Sequence, residues 1–150
     1  MALSESEERL LKAIDDSADK ISAFAEKVYN NPELGYKEYK TAAAVKAELD
    51  SIGIKYCDGG AVTSVKGSIG SGDFRLCIIG EMDAVKNSEH PGAEIKTGAA
   101  HACGHHAQMA AMIGCAIAMA DPDVQKCLAG TVNFLAVPAE EYIDADKRAR

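Results

Sequence analysis

Phe74-Arg75-Leu76-Cys77-Ile78-Ile79 runs straight into Gly80-Glu81-Met82-Asp83. A near-continuous apolar run of this length reads as a strand buried on both faces, as in a parallel sheet. Gly130–Val137 (GTVNFLAV) reads as a second such strand and delivers Pro138-Ala139-Glu140-Glu141. Between them, residues 86–100 are polar with Pro and Gly, which predicts a loop. Residues 106–120 are small and apolar, which predicts a buried helix that lets neighbouring backbone approach closely, stopped at Asp121-Pro122. Helices alternating with buried strands predict an α/β layered fold with a mostly parallel core.

Upstream, Ser4 with Glu7 three residues on forms a capping box, with Ser6 as a competing cap. Leu10, Leu11, Ile14, Ala18, Ile21, Phe24, Ala25 and Val28 follow at helical spacing, and Asn30-Asn31-Pro32 ends the helix. A second helix fits residues 39–52 with Gly53 at its C-terminal cap. Both read as helices covering one sheet. A short strand at 54–57, a turn at Asp58-Gly59-Gly60, loose alternation over 61–69 and a turn over 70–73 complete the pattern.

The chain has 150 residues, 47% hydrophobic and 26% charged, enough for one domain with a sizeable core. No apolar run approaches the ~20 residues of a membrane span, and the acidic amphipathic N-terminus is no secretory signal. Sixteen Lys and Arg against 23 Asp and Glu leave a net charge of −7 with no basic stripe, which disfavours nucleic acid and anionic membranes as partners. Five cysteines without a CxxC pair read as reduced thiols, so the expected location is the cytoplasm.

Chemistry concentrates at three places. All four histidines lie between His90 and His106, and His101-Ala102-Cys103-Gly104-His105-His106 combines thiol and imidazole, the ligands of borderline-soft divalent metals. Cys103 and His105 cannot share a helix face but can converge from a turn at Gly104. The helix that starts there favours a thiolate at Cys103. His101 and His106 read equally well as solvent-facing loop residues. Glu140-Glu141 ends a strand, where one carboxylate on a metal and the other as a base makes sense of the pair; a solvated loop pair is the plain alternative. Glu81 and Asp83 end the other strand, placing Asp83 where it can orient a metal-bound histidine, with strand termination as the alternative. All three groups fall where strands end or a helix begins, the crevice in which open α/β sheets bind ligands.

Taken in order, Asn31-Pro32-Glu33-Leu34-Gly35-Tyr36-Lys37-Glu38, Gly80-Glu81-Met82-Asp83-Ala84-Val85, His101-Ala102-Cys103-Gly104-His105 and Pro138-Ala139-Glu140-Glu141 resemble the metal-dependent amidohydrolases of the aminoacylase and carboxypeptidase type. The resemblance is to the cysteine-containing branch of hippurate, auxin-conjugate and aminobenzoyl-glutamate hydrolases. It implies a three-layer α/β sandwich with a mostly parallel central sheet, of which residues 1–150 are the N-terminal part. The lid domain and the C-terminal part of the catalytic domain would be absent. It implies Cys103, His105 and Glu141 as metal ligands, Glu140 as the general base, and Asp83 supporting the site. The implied cofactor is a divalent metal, two ions of zinc or manganese in the complete enzyme. The implied substrate is a small N-acyl amino acid or dipeptide-like amide, and a homo-oligomeric enzyme is compatible with it. Many relatives continue the cysteine motif with Asp, any residue, then His, where this chain has His106, Ala107 and Gln108. The resemblance also implies further ligands, including histidines, beyond the double glutamate. With no histidine after His106 and no lid, the present chain is expected to be weakly active or inactive alone. Two rivals from other classes are a noncatalytic metal-binding or interaction module derived from such an enzyme, and a cysteine hydrolase using Cys103 with His101 or His105.

Overall fold

The computed structural model describes residues 2–141. In chain order these form helices α1 (Glu5–Asp16), α2 (Ala18–Tyr29) and α3 (Tyr39–Ser51), and then strands β1 (Tyr56–Asp58), β2 (Val65–Gly70), β3 (Phe74–Glu81), β4 (Val85–Lys86) and β5 (Ala99–Ala100). Helices α4 (His105–Met119) and α5 (Pro122–Lys126) and strand β6 (Gly130–Val137) follow. The main sheet has the order β1-β2-β6-β3. β3 and β6 are parallel, whereas β1 with β2 and β2 with β6 are antiparallel. The α/β class is as expected, in a mixed sheet whose parallel pair is formed by the two strands that the motifs end. A parallel pair needs a long crossover, and α4 lies within it.

The helices follow local chemistry. Glu7 Oε2 accepts the Ser4 N–H at 2.7 Å and Ser4 Oγ accepts the Glu7 N–H at 3.4 Å, which is the capping box. The first helix does not run unbroken to Asn30; it breaks at Ser17 (φ −107°, ψ 8°) into α1 and α2. Asp15, Asp16 and Ser17 form the break, and such side chains compete for backbone hydrogen bonds in a helix interior and suit its ends better. Glu33, six residues upstream of α3, caps it by accepting from the Lys40 N–H, the Thr41 N–H and the Thr41 hydroxyl at 2.9–3.1 Å. Gly53 closes α3 with φ 71°.

α4 packs on β3 and β6, α3 packs on β2 and α4, and α1 and α2 pack mainly on α4 rather than on the sheet. The core between these layers contains Phe24, Val28, Val45, Leu49, Met109, Met112, Ile113, Val132 and Phe134. The small residues of α4 permit the close approach expected of them. A Cβ on Gly114 would stand 3.1 Å from Ile21 Cδ1 of α2. Burying this apolar surface is the main favourable term holding the layers together.

Three local expectations are corrected. β3 is not buried on both faces: it is an edge strand on which Phe74 is 67% exposed, Leu76 43% and Ile79 52%. The reason is tertiary: among the described residues β3 pairs only with β6. Ile79 lies on the face opposite Gly80, which packs on Met109 and Met112 of α4, and the helices leave Phe74 and Leu76 at the start of the strand uncovered. β6 accordingly alternates between buried and half-buried residues instead of being buried throughout. The segment 86–100 is not loop throughout: a two-stranded ladder at its ends pairs Val85 with Ala100 and Lys86 with Ala99. Asp121-Pro122 not only stops α4 but starts α5, with Asp121 Oδ1 accepting from the N–H groups of Asp123 and Val124 and proline at the first helical turn. Among the described residues no helix is long and apolar enough to cross a membrane.

Candidate metal centre

The parallel pairing of β3 with β6 puts Glu81 opposite Val137, and the Met82 N–H donates to the Val137 carbonyl at 3.0 Å as one further rung. Both chains therefore leave the sheet side by side at its carboxyl edge, where an α/β sheet binds ligands. Asp83 comes from one chain and Ala139-Glu140-Glu141 from the other.

Asp83 is 1% exposed. Its Oδ1 accepts the Glu140 N–H at 3.1 Å and its Oδ2 accepts the Glu141 N–H at 3.0 Å. Glu38, at the start of α3, is 0% exposed, and its Oε1 accepts the preceding N–H, that of Ala139, at 2.9 Å. Three consecutive amides of the Glu140-Glu141 turn thus end on two buried carboxylates. Burial pushes the Glu38 carboxyl above its usual range, opposed by hydrogen bonds from Thr63 and the backbone.

His105 is the first residue of α4, after Gly104 in a left-handed conformation (φ 110°). Its Nδ1 lies 2.8 Å from the Asp83 carbonyl oxygen and 3.4 Å from Asp83 Oδ1. A carbonyl only accepts, so Nδ1 carries the proton and Nε2 presents its lone pair. Nε2 faces Glu81 Oε2 at 3.0 Å, Glu140 Oε2 at 3.9 Å and Glu141 Oε1 at 4.0 Å. An imidazole lone pair turned toward three carboxylates is repulsive unless a proton or a cation lies between them.

The structure brings Cys103, His105 and Glu141 together with ligand atoms all within 4.8 Å of one another, and does the same for Glu81, His105 and Glu140. Thiolate, imidazole and carboxylate are a donor set that fits a divalent transition metal. Both groups use His105, whose free nitrogen ligates one cation at a time, so among the described residues they amount to a single cation position. The expected help from the α4 N-terminus to a Cys103 thiolate is outweighed. The Glu141 hydrogen bond, partial burial and the charges of Glu141, Glu140 and Glu81 push the Cys103 thiol up. Asp83 supports His105 chiefly through its backbone carbonyl, while its carboxylate serves the Glu140-Glu141 amides.

In the sequence Glu81 stands among the strand-end acids without a role of its own, and Gln108 only as a departure from relatives. Gln108 Oε1 accepts the Glu81 N–H at 2.6 Å, and its Nε2 donates to Glu81 Oε2 at 3.2 Å. The available signal was the spacing: Gln108 lies three residues after His105 on one helix, hence on the same face. His101 is not solvent-facing; it is 4% exposed, with its ring centroid 5.5 Å from that of His106, which in turn lies 5.0 Å from the Tyr29 ring. Neither His101 nitrogen has a hydrogen-bond partner among the described residues. Burial, with the neighbouring His106 and His105, lowers its pKa to about 4. Beside the centre lies a cleft of about 840 Å³ lined by Tyr36, Thr63, Val137, Pro138, Ala139 and Glu140, among others.

Soft and hard ligands gathered at the carboxyl edge of an α/β sheet make a candidate metal-binding site. Residues 77–147 match the model of Peptidase family M20/M25/M40, so this stretch carries part of a peptidase M20 domain. The chain is 37% identical over 131 residues to IAA-amino acid hydrolase ILR1-like 5 of Arabidopsis thaliana, an alignment covering 85% of this chain and 30% of that protein. It is 27% identical to the hippurate hydrolase of Campylobacter jejuni, over 92% of this chain and 36% of that one. Its fold superposes on the Bacillus subtilis YXEP protein, a dinuclear metal binding peptidase from the M20 family, with a TM-score of 0.72 and 27% identity. That match covers 82% of this chain and 35% of the other. The chain spans about a third of the length of these relatives.

Proposed function

We propose that this chain supplies the general base and the first ligands of a metal-dependent amidohydrolase that cleaves the amide bond of an N-acyl amino acid or an aminobenzoyl-glutamate-like substrate. The observation that carries the reading is the meeting of Cys103, His105 and Glu141 within ligand distance of one another, with Glu140 beside them. The amino-acid conjugates in the names of the plant and Campylobacter relatives support the substrate class. Cys103, His105 and Glu141 would hold the cation. When bound, zinc or manganese polarises the amide carbonyl and lowers the pKa of water toward ~7.

The remaining work falls to the side chains. Glu140 takes a proton from the attacking water and delivers it to the leaving amine as the C–N bond breaks. Asp83 keeps Glu140 and Glu141 in place through their amides, and its carbonyl keeps the His105 ring in the tautomer that leaves Nε2 free. Gln108 fixes Glu81 against His105. A second ion would take ligands from outside the described residues. We read residues 1–150 as the N-terminal part of the catalytic domain. The five free cysteines agree with a cytoplasmic enzyme.

Calorimetric titration of the chelator-treated chain with zinc and with manganese tests the centre. One cation is expected to bind, and His105→Ala is expected to weaken binding at least ~100-fold, since removing even a supporting partner of a ligand costs 10–100-fold. Turnover of N-acyl amino acids by this chain alone is expected to be slow or absent. Unchanged affinity in His105→Ala would refute the assignment.

A further inference from the structure

Among the described residues three non-glycine residues have left-handed backbone: Tyr36 (φ 62°), Thr63 (φ 66°) and Ala139 (φ 55°). They belong to three separate segments, and a side chain with a Cβ resists this conformation. All three meet one carboxylate. Glu38 Oε1 accepts the Tyr36 N–H at 2.9 Å and the Ala139 N–H at 2.9 Å, and Glu38 Oε2 accepts from the Thr63 hydroxyl at 2.7 Å. Glu38 precedes α3 but makes no side-chain cap there; Glu33 performs that task. Its carboxylate is turned into the interior instead, across 101 residues of sequence to the amide that precedes Glu140.

We propose that Glu38 is a positioning residue. It holds Ala139 in the left-handed turn that aims Glu140 and Glu141 at Cys103 and His105, and so sets the affinity of this site for a divalent cation. Asp83 fixes the amides of residues 140 and 141, but the direction from which the turn arrives is decided one residue earlier. A buried carboxylate with three donors from three segments is held too tightly to drift, so it transmits the position of the 36–38 and 61–64 segments to the centre. The inference rests on the reading of Cys103, His105 and Glu141 as a metal centre.

The test uses the 150-residue chain with two readouts: amide hydrogen exchange at residues 139–141 without metal, and zinc affinity by calorimetry. Glu38→Ala is expected to speed exchange at Ala139 at least ~10-fold and to weaken zinc binding ~10–100-fold, the range seen when a ligand loses its support. Glu38→Met fills the same space without an acceptor and replaces Glu38→Ala if that variant does not fold. Glu38→Gln keeps an oxygen for the Tyr36 and Ala139 amides and an NH2 for the Thr63 oxygen, so affinity is expected to stay within ~3-fold. Ala139→Gly placed in the Glu38→Ala background separates positioning from general support. Glycine adopts the left-handed turn without a holder, so at least ~10% of wild-type affinity should return from a larger loss. No rescue by Ala139→Gly, or wild-type affinity in Glu38→Ala, would overturn the proposal. If the wild-type chain binds no cation, the metal-centre reading fails instead. Exchange at Ala139 then decides the positioning claim: faster in Glu38→Ala upholds it, unchanged overturns it.

Discussion

Asp83→Ala is expected to abolish cation binding by this chain and to lower its stability by about 2–6 kcal/mol. The size follows from what Asp83 holds. Its buried carboxylate accepts the N–H groups of both Glu140 and Glu141. Truncation leaves two part-buried amides without their acceptor, each costing up to ~1–3 kcal/mol. The same loss frees the segment that carries one proposed ligand and the proposed base, so affinity falls with stability. Asp83→Asn separates the two effects. One oxygen remains to accept one amide, while the new NH2 faces the other donor, so roughly half the stability loss should persist. Denaturant unfolding of the metal-free variants, followed by zinc titration, measures both. A stability change under ~1 kcal/mol with unchanged affinity would show that the paired hydrogen bonds do not organise the site.

The second large effect concerns acid. The metal-free chain is expected to lose stability as pH falls from 6.5 toward 4, by about 3 kcal/mol from His101 alone. The sign follows from burial. The folded state lowers the His101 pKa from 6.5 to about 4, so the unfolded chain takes up the proton first. The contribution is complete above 6.5 and is lost as pH falls through the folded value. His106 is shifted in the same direction by burial and by His105. Glu38 works the other way: its carboxyl is raised, so its contribution is present below the ordinary carboxylate value and fades as pH rises. Subtracting a His101→Phe variant isolates the histidine. That variant should be at least as stable at pH 7, because it removes two unpartnered buried nitrogens, and its stability should vary less between pH 6.5 and 4. Parallel pH profiles for the two chains would contradict the placement of His101.

Local chemistry made much of this architecture legible. The Ser4–Glu7 box, the Gly53 stop, the small residues of α4 and the acids at both strand ends are short-range signals, and each element appears where its signal stands. The exposure of β3 was not legible. Phe74–Ile79 is apolar enough to be buried on both faces, but whether anything covers it depends on elements elsewhere in space. The break at Ser17 was missed because apolar spacing continues through it. Of the centre, Cys103, His105, Glu140 and Glu141 announced themselves by residue type and by their place at strand ends. Glu38 did not. An acid just before a helix reads as a capping residue, and its actual partner is Ala139, on a different element. Gln108 was noticed only as a departure from relatives; its contact with Glu81 needed the helix to be placed against β3.

Cys103, His105 and Glu141 are proposed to bind one cation through a thiolate, an imidazole and a carboxylate. X-ray absorption at the zinc edge, on the chain loaded with one equivalent of zinc, tests it most directly. One sulfur is expected at about 2.3 Å with the remaining neighbours nitrogen or oxygen at about 2.0–2.2 Å, and the sulfur is expected to be lost in Cys103→Ser. A shell of nitrogen and oxygen alone in the wild-type chain, or a sulfur that survives Cys103→Ser, would contradict it.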